Sequence, residues 1–255
     1  MAMPADDAGW KQLIRSGQPP GWRLLAEASG GRVWKRDGVL AAIMPASPER
    51  SIFNSVFYRR GEGLLDHLDA IGAAYEEAGV RAWTVWVPEA DTAVAEALEA
   101  AGHKLDAEPR DMGMALSELR TPEPDPELEI VERDDYAALA RINEIAYGYP
   151  EGEFGIVAGT EVPGMRIYFG ALEGEKVCTL GIAPLRSDAI VTWVATLPEA
   201  RGRGISGRVL AHALAEARDA GLETTTLQAT KLGYPVYAKL GYRDFGSMQM
   251  WERRK

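Results

Sequence analysis

The chain is poor in cysteine: Cys178 stands alone among 255 residues. No intrachain disulfide can form, which suits a reducing compartment, and a cytoplasmic location is the expectation. The three histidines, His67, His103 and His212, share no metal-ligand spacing with each other or with Cys178, so no metal is expected. No apolar run is long enough to span a bilayer, and the N-terminus has no signal-peptide pattern, so a membrane is not an expected partner. Basic charge is also scarce. Lys and Arg total 28 against 38 Asp and Glu, a net charge of −10, which argues against a nucleic-acid partner and is compatible with a cationic amine.

What the chain does contain is concentrated in residues 190–214. Residues 190–197 form an apolar, β-branched run of strand length, and Pro198 stops it. Arg201-Gly202-Arg203-Gly204 is a basic, glycine-rich turn. A helix follows, with Ile205, Val209, Leu210 and Leu214 at helical spacing and Gly221 at its C-terminal end. The first N–H groups of a helix lack intrahelical partners, and the helix dipole adds partial positive charge there. Glycines admit a large anion close to the backbone, and arginines offer planar donors to phosphate oxygens. The turn is therefore a candidate phosphate cradle, with a solvated surface turn as the alternative.

Two nucleotide motifs compete for it. Gly202-x-Gly204-x-x-Gly207 fits the dinucleotide fingerprint, but too little chain follows to complete a βαβαβ domain, and the next strand ends in Gln228 rather than an acid. A Walker-type loop is excluded, because no Gly-Lys-Ser/Thr follows the turn. The fuller match is to a family. Arg201-x-x-Gly204-x-Ser206 resembles the acyl-CoA pyrophosphate loop of the GNAT superfamily of N-acetyltransferases, Arg/Gln-x-x-Gly-x-Gly/Ala, with Ser206 at the last small position. Residues 194–199 resemble the strand and proline leading into that loop. Pro235-Val236-Tyr237-Ala238-Lys239-Leu240-Gly241-Tyr242 resembles the family's LYEKLGF signature. The frequent Asn upstream of that tyrosine is missing; Thr230 and Lys231 occupy the region.

The resemblance covers the C-terminal half. It implies an α/β mixed-sheet, acyl-CoA N-acyltransferase-like fold and direct acetyl transfer from acetyl-CoA to an amine of a small molecule or peptide. It places acetyl-CoA on Val194, Ala195 and Thr196 of the strand and on Arg201, Gly202, Arg203, Gly204, Ile205 and Ser206 of the turn. It makes Tyr237 the general acid for the departing thiolate, with an amphipathic packing residue as the alternative for that position. A CoA-binding sensor without turnover and a dinucleotide-binding protein are the competing functions. A homodimer stays open.

In chain order, residues 1–30 suggest a short helix or two. Residues 31–35 and 39–44 read as a hairpin about Asp37-Gly38, and residues 51–58 as a third strand. A helix over 63–78, with Leu64, Leu65, Leu68, Ile71, Ala74 and Tyr75 on one face, leads to a strand over 82–87 and a helix over 90–101. One or two strands occupy 104–116. This order resembles a second, degenerate GNAT-like unit in tandem. Gly102-His103 stands in the place of Gly241-Tyr242, and the turn before the 63–78 helix, Tyr58-Arg59-Arg60-Gly61-Glu62-Gly63, carries an acid where a phosphate would sit. The expected division is a non-catalytic domain over 1–120, a proline-rich linker over 121–127, and a catalytic domain over 128–255.

Within the latter, a strand at 128–131 precedes a helix over 134–147 with Tyr136, Leu139, Ile142 and Ile145 facing the core, and residues 148–159 read as irregular. Strands at 165–172, 176–184, 190–197 and 224–228, a helix over 233–240 and final strands over 242–251 complete it. Glu151 and Glu153 are candidates for the base that deprotonates the amine, by loop position alone. Trp193 either lines the acyl or acceptor pocket or packs in the core, Cys178 reads as a core residue, and His212 as an apolar-face or surface residue.

Overall fold

A computed structural model describes residues 3–255. The elements in chain order are α1 (Asp7–Ala28), β1 (Arg32–Arg36), β2 (Val39–Ile43), β3 (Ser55–Phe57), α2 (Gly61–Glu77), β4 (Ala82–Pro88), α3 (Thr92–Ala100), β5 (Lys104–Ala107), β6 (Arg110–Ala115), β7 (Leu128–Glu132), α4 (Tyr136–Tyr147), α5 (Gly155–Ala158), β8 (Arg166–Leu172), β9 (Glu175–Leu185), β10 (Asp188–Thr196), α6 (Ile205–Asp219), β11 (Thr224–Ala229), α7 (Tyr234–Leu240) and β12 (Arg243–Arg254). No helix among the described residues is long and apolar enough to cross a membrane.

The chain divides into two compact units. One comprises Gln18–Pro109 with Gly246–Lys255; the other comprises the residues through Gly17 with Arg110–Phe245. The expected linker at 121–127 is therefore not where the units part. The reason is strand pairing: β6 joins β11 antiparallel from Thr224↔Ala115 to Ala229↔Arg110, which draws residues 110–115 into the C-terminal unit.

In the N-terminal unit, β1 and β2 pair antiparallel across Asp37-Gly38, both at positive φ as a type I′ hairpin requires. β3 pairs antiparallel with β2 and parallel with β4, and α2 makes the crossover. Leu64, Ile71 and Tyr75 of α2 pack on Val39, Ile43, Val56 and Val85. The strand expected at 51–58 shrinks to β3, because Phe53 and Asn54 close turns onto Arg50 and Ser51. Leu65 of α2, expected on the buried face, is exposed beside the buried stripe.

The C-terminal unit has strand order β6-β11-β10-β9-β8-β7. β7 through β10 are antiparallel neighbours, and β10 and β11 are parallel, joined by α6. Ile205, Val209, Leu210 and Leu214 of α6 are buried with Leu180, Ile182, Val191 and Leu227 of the sheet. Burying each such side chain contributes roughly 1.5–3 kcal/mol. Gly170 of β8 lets α6 come close, since a Cβ there would lie 2.8 Å from Val209 and 3.0 Å from Ile205.

Four further expectations change. The N-terminal helices are one, α1, with Pro19 and Pro20 inside it; Trp10, Leu13 and Ile14 before the prolines and Leu25 and Ala26 after them are buried and hold both ends. The final strands are one, β12. The loop over 148–159 contains α5. Ile145 is exposed, because each i+3 step falls 60° short of a full turn and three such steps from Tyr136 leave the buried stripe.

Candidate active site

β10 and β11 pair at only three positions, Asp188↔Thr224, Ala189↔Thr225 and Ile190↔Thr226, and then part. The threonines of β11 fasten this junction. Thr224 and Thr226 donate to the two oxygens of the Asp188 carboxylate at 2.8 and 2.6 Å, and Thr225 donates to the Ala189 carbonyl at 2.8 Å. Burial pushes the Asp188 carboxyl above its ordinary pKa, and the two threonine hydroxyls pull the other way. Beyond the junction, the β9–β10 register slips between Thr192 and Ala195, and Trp193 adopts φ +53°. This is a β-bulge with its extra residue in the left-handed region, where a bulky side chain costs on the order of 1–2 kcal/mol.

Three side chains hold the bulge from its carbonyls. Asn143 of α4 donates to the Trp193 carbonyl at 3.3 Å, Tyr147 one turn later donates to the Val194 carbonyl at 3.0 Å, and Arg201 Nε donates to the Thr196 carbonyl at 3.2 Å. Arg201 also reaches the Ala146 carbonyl at 2.6 Å, tying the turn to the end of α4. The Asn143 side chain is buried, and its Oδ1 has no hydrogen-bond partner among the described residues. Asn143 and Tyr147 were missed from sequence. The available signal was the stripe 136, 140, 143, 147 on α4, which presents a polar and a phenolic group toward the sheet at i, i+4 spacing.

The turn that follows has the expected form. Gly202 and Gly204 have φ +79° and +73°, and a Cβ on Gly202 would meet nothing within 4 Å. Residues 201–204 are exposed, and no side chain caps the N-terminus of the 15-residue α6. Its first backbone N–H groups have no side-chain cap, and the Arg208 guanidinium, which donates to the Arg203 carbonyl at 2.8 Å, lies against Gly204. The arginine side chains have other work: Arg201 bonds carbonyls, and Arg203 pairs with Glu127 at 3.1 Å. Ala195 and Ile205 are buried and offer the site only their backbones. Ser206 is half-buried in the first turn of α6.

Tyr237 lies on α7, 7% exposed, in the core cluster that includes Cys178 and Tyr242. Its ring is 5.8 Å from that of Tyr242 and packs so closely on Gly233 that a Cβ there would lie 2.8 Å from it. Its hydroxyl makes no hydrogen bond among the described residues. Burial raises its pKa, and the nearby Tyr147 and Cys178 add to the rise, so the phenol holds its proton well past neutrality. Cys178 is fully buried, its thiol pushed up to about 12 by the same burial, and it accepts from the Thr196 hydroxyl at 3.4 Å.

Glu151 is exposed and Glu153 half-buried in the loop after α4. His212 sits on the outer face of α6, 3.2 Å from Glu216, and His67 pairs with Asp37 at 2.7 Å. A cleft of about 340 Å³ is lined by residues 134–137 and 158–161 at the N-terminal end of α4, a helix length of about 17 Å from Tyr147.

The C-terminal unit thus combines a bulged strand that parts from its parallel neighbour with a glycine turn into a helix that has no side-chain cap. Residues 131–244 match the family model of the acetyltransferase (GNAT) domain. No curated protein matches the chain. Among solved structures, a GCN5-related N-acetyltransferase from Kribbella flavida superposes over 99% of this chain and 96% of its own, with a TM-score of 0.72 at 17% identity. One from Sphaerobacter thermophilus covers 85% of this chain and 76% of its own, at 0.58 and 16%. A tandem GNAT protein from the clavulanic acid biosynthesis pathway covers 99% and 97%, at 0.59 and 13%. At these identities the likeness is one of fold, and it extends over both units.

Proposed function

We propose that the C-terminal unit is an N-acetyltransferase that moves an acetyl group from acetyl-CoA to a primary amine of a small molecule or peptide within a ternary complex. The observation that carries this reading is the parting of β10 from β11 at the Trp193 bulge, directly before an uncapped helix N-terminus. The residues present suit the donor. Positive-φ glycines with no neighbour at Gly202 leave room for a pyrophosphate against the N–H groups of residues 202–206. The backbone of Val194 and Thr196 lies along the parted edge and suits an extended pantetheine arm, as an added strand. Each carbonyl has two lone pairs, so the bonds from Tyr147 and Arg201 leave one open. Acetyl-CoA supplies the acyl group as a thioester.

This chain's residues do the rest. A backbone N–H of the bulged strand offers the oxyanion a donor. As the neutral amine attacks the thioester carbon and the C–S bond breaks, Tyr237, kept protonated by burial, gives its hydroxyl proton to the departing thiolate. The proton shed by the amine nitrogen passes to solvent, which reprotonates the phenol. The N-terminal unit repeats the β-β-α-β order without the site. β3 has no bulge, Phe57 and Trp86 stack at 6.0 Å beside it, and the start of α2 faces Asp91 and the Asp37 carbonyl. It is a non-catalytic partner. The test is product formation: purified protein, acetyl-CoA and an amine panel, read by mass spectrometry of acetylated product. Product that falls about a hundredfold or more in Tyr237→Phe supports the reading. Product unaffected by Tyr237→Phe removes its catalytic role, and no product from any amine leaves a CoA-binding sensor in its place.

A further inference from the structure

Among the described residues, the residues other than glycine with positive φ are Asp37, Glu173, Arg186 and Trp193. Asp37, Glu173 and Arg186 sit in the turns of hairpins, where such a conformation is ordinary. Trp193, at φ +53°, lies inside β10. A bulky left-handed residue within a strand persists only where its surroundings over-determine it, and such strain collects at sites that use it.

The surroundings here centre on Asn143 of α4. It is 1% exposed, and its amide nitrogen donates to the Leu139 carbonyl at 2.9 Å and to the Trp193 carbonyl at 3.3 Å. Its amide oxygen has no hydrogen-bond partner among the described residues. An apolar side chain of the same size would avoid burying that oxygen. The bond to the bulge is therefore what an amide supplies at this position and a leucine cannot.

The direction of that bond matters for chemistry. The described peptide bonds are trans, and a trans peptide points its C=O and its N–H opposite ways. Holding the Trp193 carbonyl toward Asn143 thus turns the Val194 N–H away from it. Among the described residues, neither Trp193 nor Val194 has a partner in the β9–β10 register, where the slip falls, or in the β10–β11 pairs. The aim of this N–H is accordingly set by the side chain that grips the carbonyl rather than by the ladder.

Resting on the acetyl-transfer reading, we infer that Asn143 is a positioning residue for the reaction: its grip on the Trp193 carbonyl aims the Val194 N–H at the thioester oxygen as that oxygen takes negative charge. Asn143 acts through the backbone, without contact with the acyl group or the amine. An oxyanion donor is effective where it is held in place beforehand, because a donor that must first reorient gives up its advantage over water.

The test uses the full chain, acetyl-CoA and the amine acetylated fastest in the panel. Asn143→Leu keeps the size and loses the donor. Asn143→Asp keeps the shape and donates only when its carboxyl is protonated. In Asn143→Leu, kcat is expected to fall about tenfold to a hundredfold, with KM for acetyl-CoA within about twofold of the parent. In Asn143→Asp, the ratio of its kcat to that of the parent is expected to rise as pH falls, because the protonated acid restores the bond. Parent-like kcat in Asn143→Leu, while Tyr237→Phe still loses product, overturns the inference and leaves the acetyl-transfer reading standing. So does a fall in kcat matched by an equal loss of acetyl-CoA affinity, or a ratio for Asn143→Asp that is flat with pH, since either marks a merely structural residue. The pH dependence of Asn143→Asp decides alone where Asn143→Leu does not fold. No product from any amine overturns the acetyl-transfer reading, and the inference with it.

Discussion

Tyr237 and His103 are both kept neutral by burial, with different consequences for pH. For Tyr237 the shift is upward, so its proton stays available across the range in which an amine substrate loses its own. The rate should therefore rise with pH and show no alkaline loss below about pH 10; a descending limb between pH 8 and 9 would place the acid elsewhere. For His103 the shift is downward, to about 4, caused first by burial and further by Arg253, against an opposing bond to the Leu98 carbonyl. Above pH 6.5 both folded and unfolded forms are neutral. Below it the unfolded chain takes the proton first, so stability is lost as pH falls from 6.5 to about 4. The loss attributable to this residue is on the order of 2 kcal/mol. Urea unfolding at pH 7 and pH 4.5 should show a smaller pH difference in His103→Gln than in the parent.

Helix α6 is the element on which the proposed donor site depends, and its closest approach to the sheet is at Gly170. A valine there would drive a Cβ into Val209, Ile205 and Leu128. Gly170→Val should cost about 1–3 kcal/mol by overpacking, read as a lower denaturation midpoint, and should weaken acetyl-CoA binding, because the helix N-terminus moves with it. Much of this element was legible in the sequence. Glycines at 202 and 204, the apolar residues at 205, 209, 210 and 214, and Pro198 each constrain the chain locally, and the structure has the strand, turn and helix they imply. The bulge was not legible. A left-handed tryptophan has no local signature; Trp193 is held there by Asn143, fifty residues upstream, across a tertiary contact. The same applies to Arg201. As a sequence letter it reads as a phosphate donor; in the fold two of its five N–H donors also tie the turn to the Thr196 and Ala146 carbonyls, a role with no local signature.

At the scale of the whole molecule, two units share one order of strands and crossover helix, and among the described residues the strand before that helix is bulged in the C-terminal unit alone. Arg59→Ala/Arg60→Ala should therefore leave acetyl-CoA affinity unchanged, as measured by the shift in thermal midpoint with the ligand present. The division of the chain escaped the sequence because a proline-rich stretch marks a flexible connection only when the residues before it have no partner, and β6 finds one in β11. The most direct measurement is calorimetric titration of the full chain with acetyl-CoA, with NAD as control. One micromolar site per chain for acetyl-CoA and none for NAD is the expected result. No heat with acetyl-CoA, or binding of NAD instead, would mean that the turn from Arg201 to Ser206 holds no acyl-CoA, and the role given to Tyr237 would fall with it.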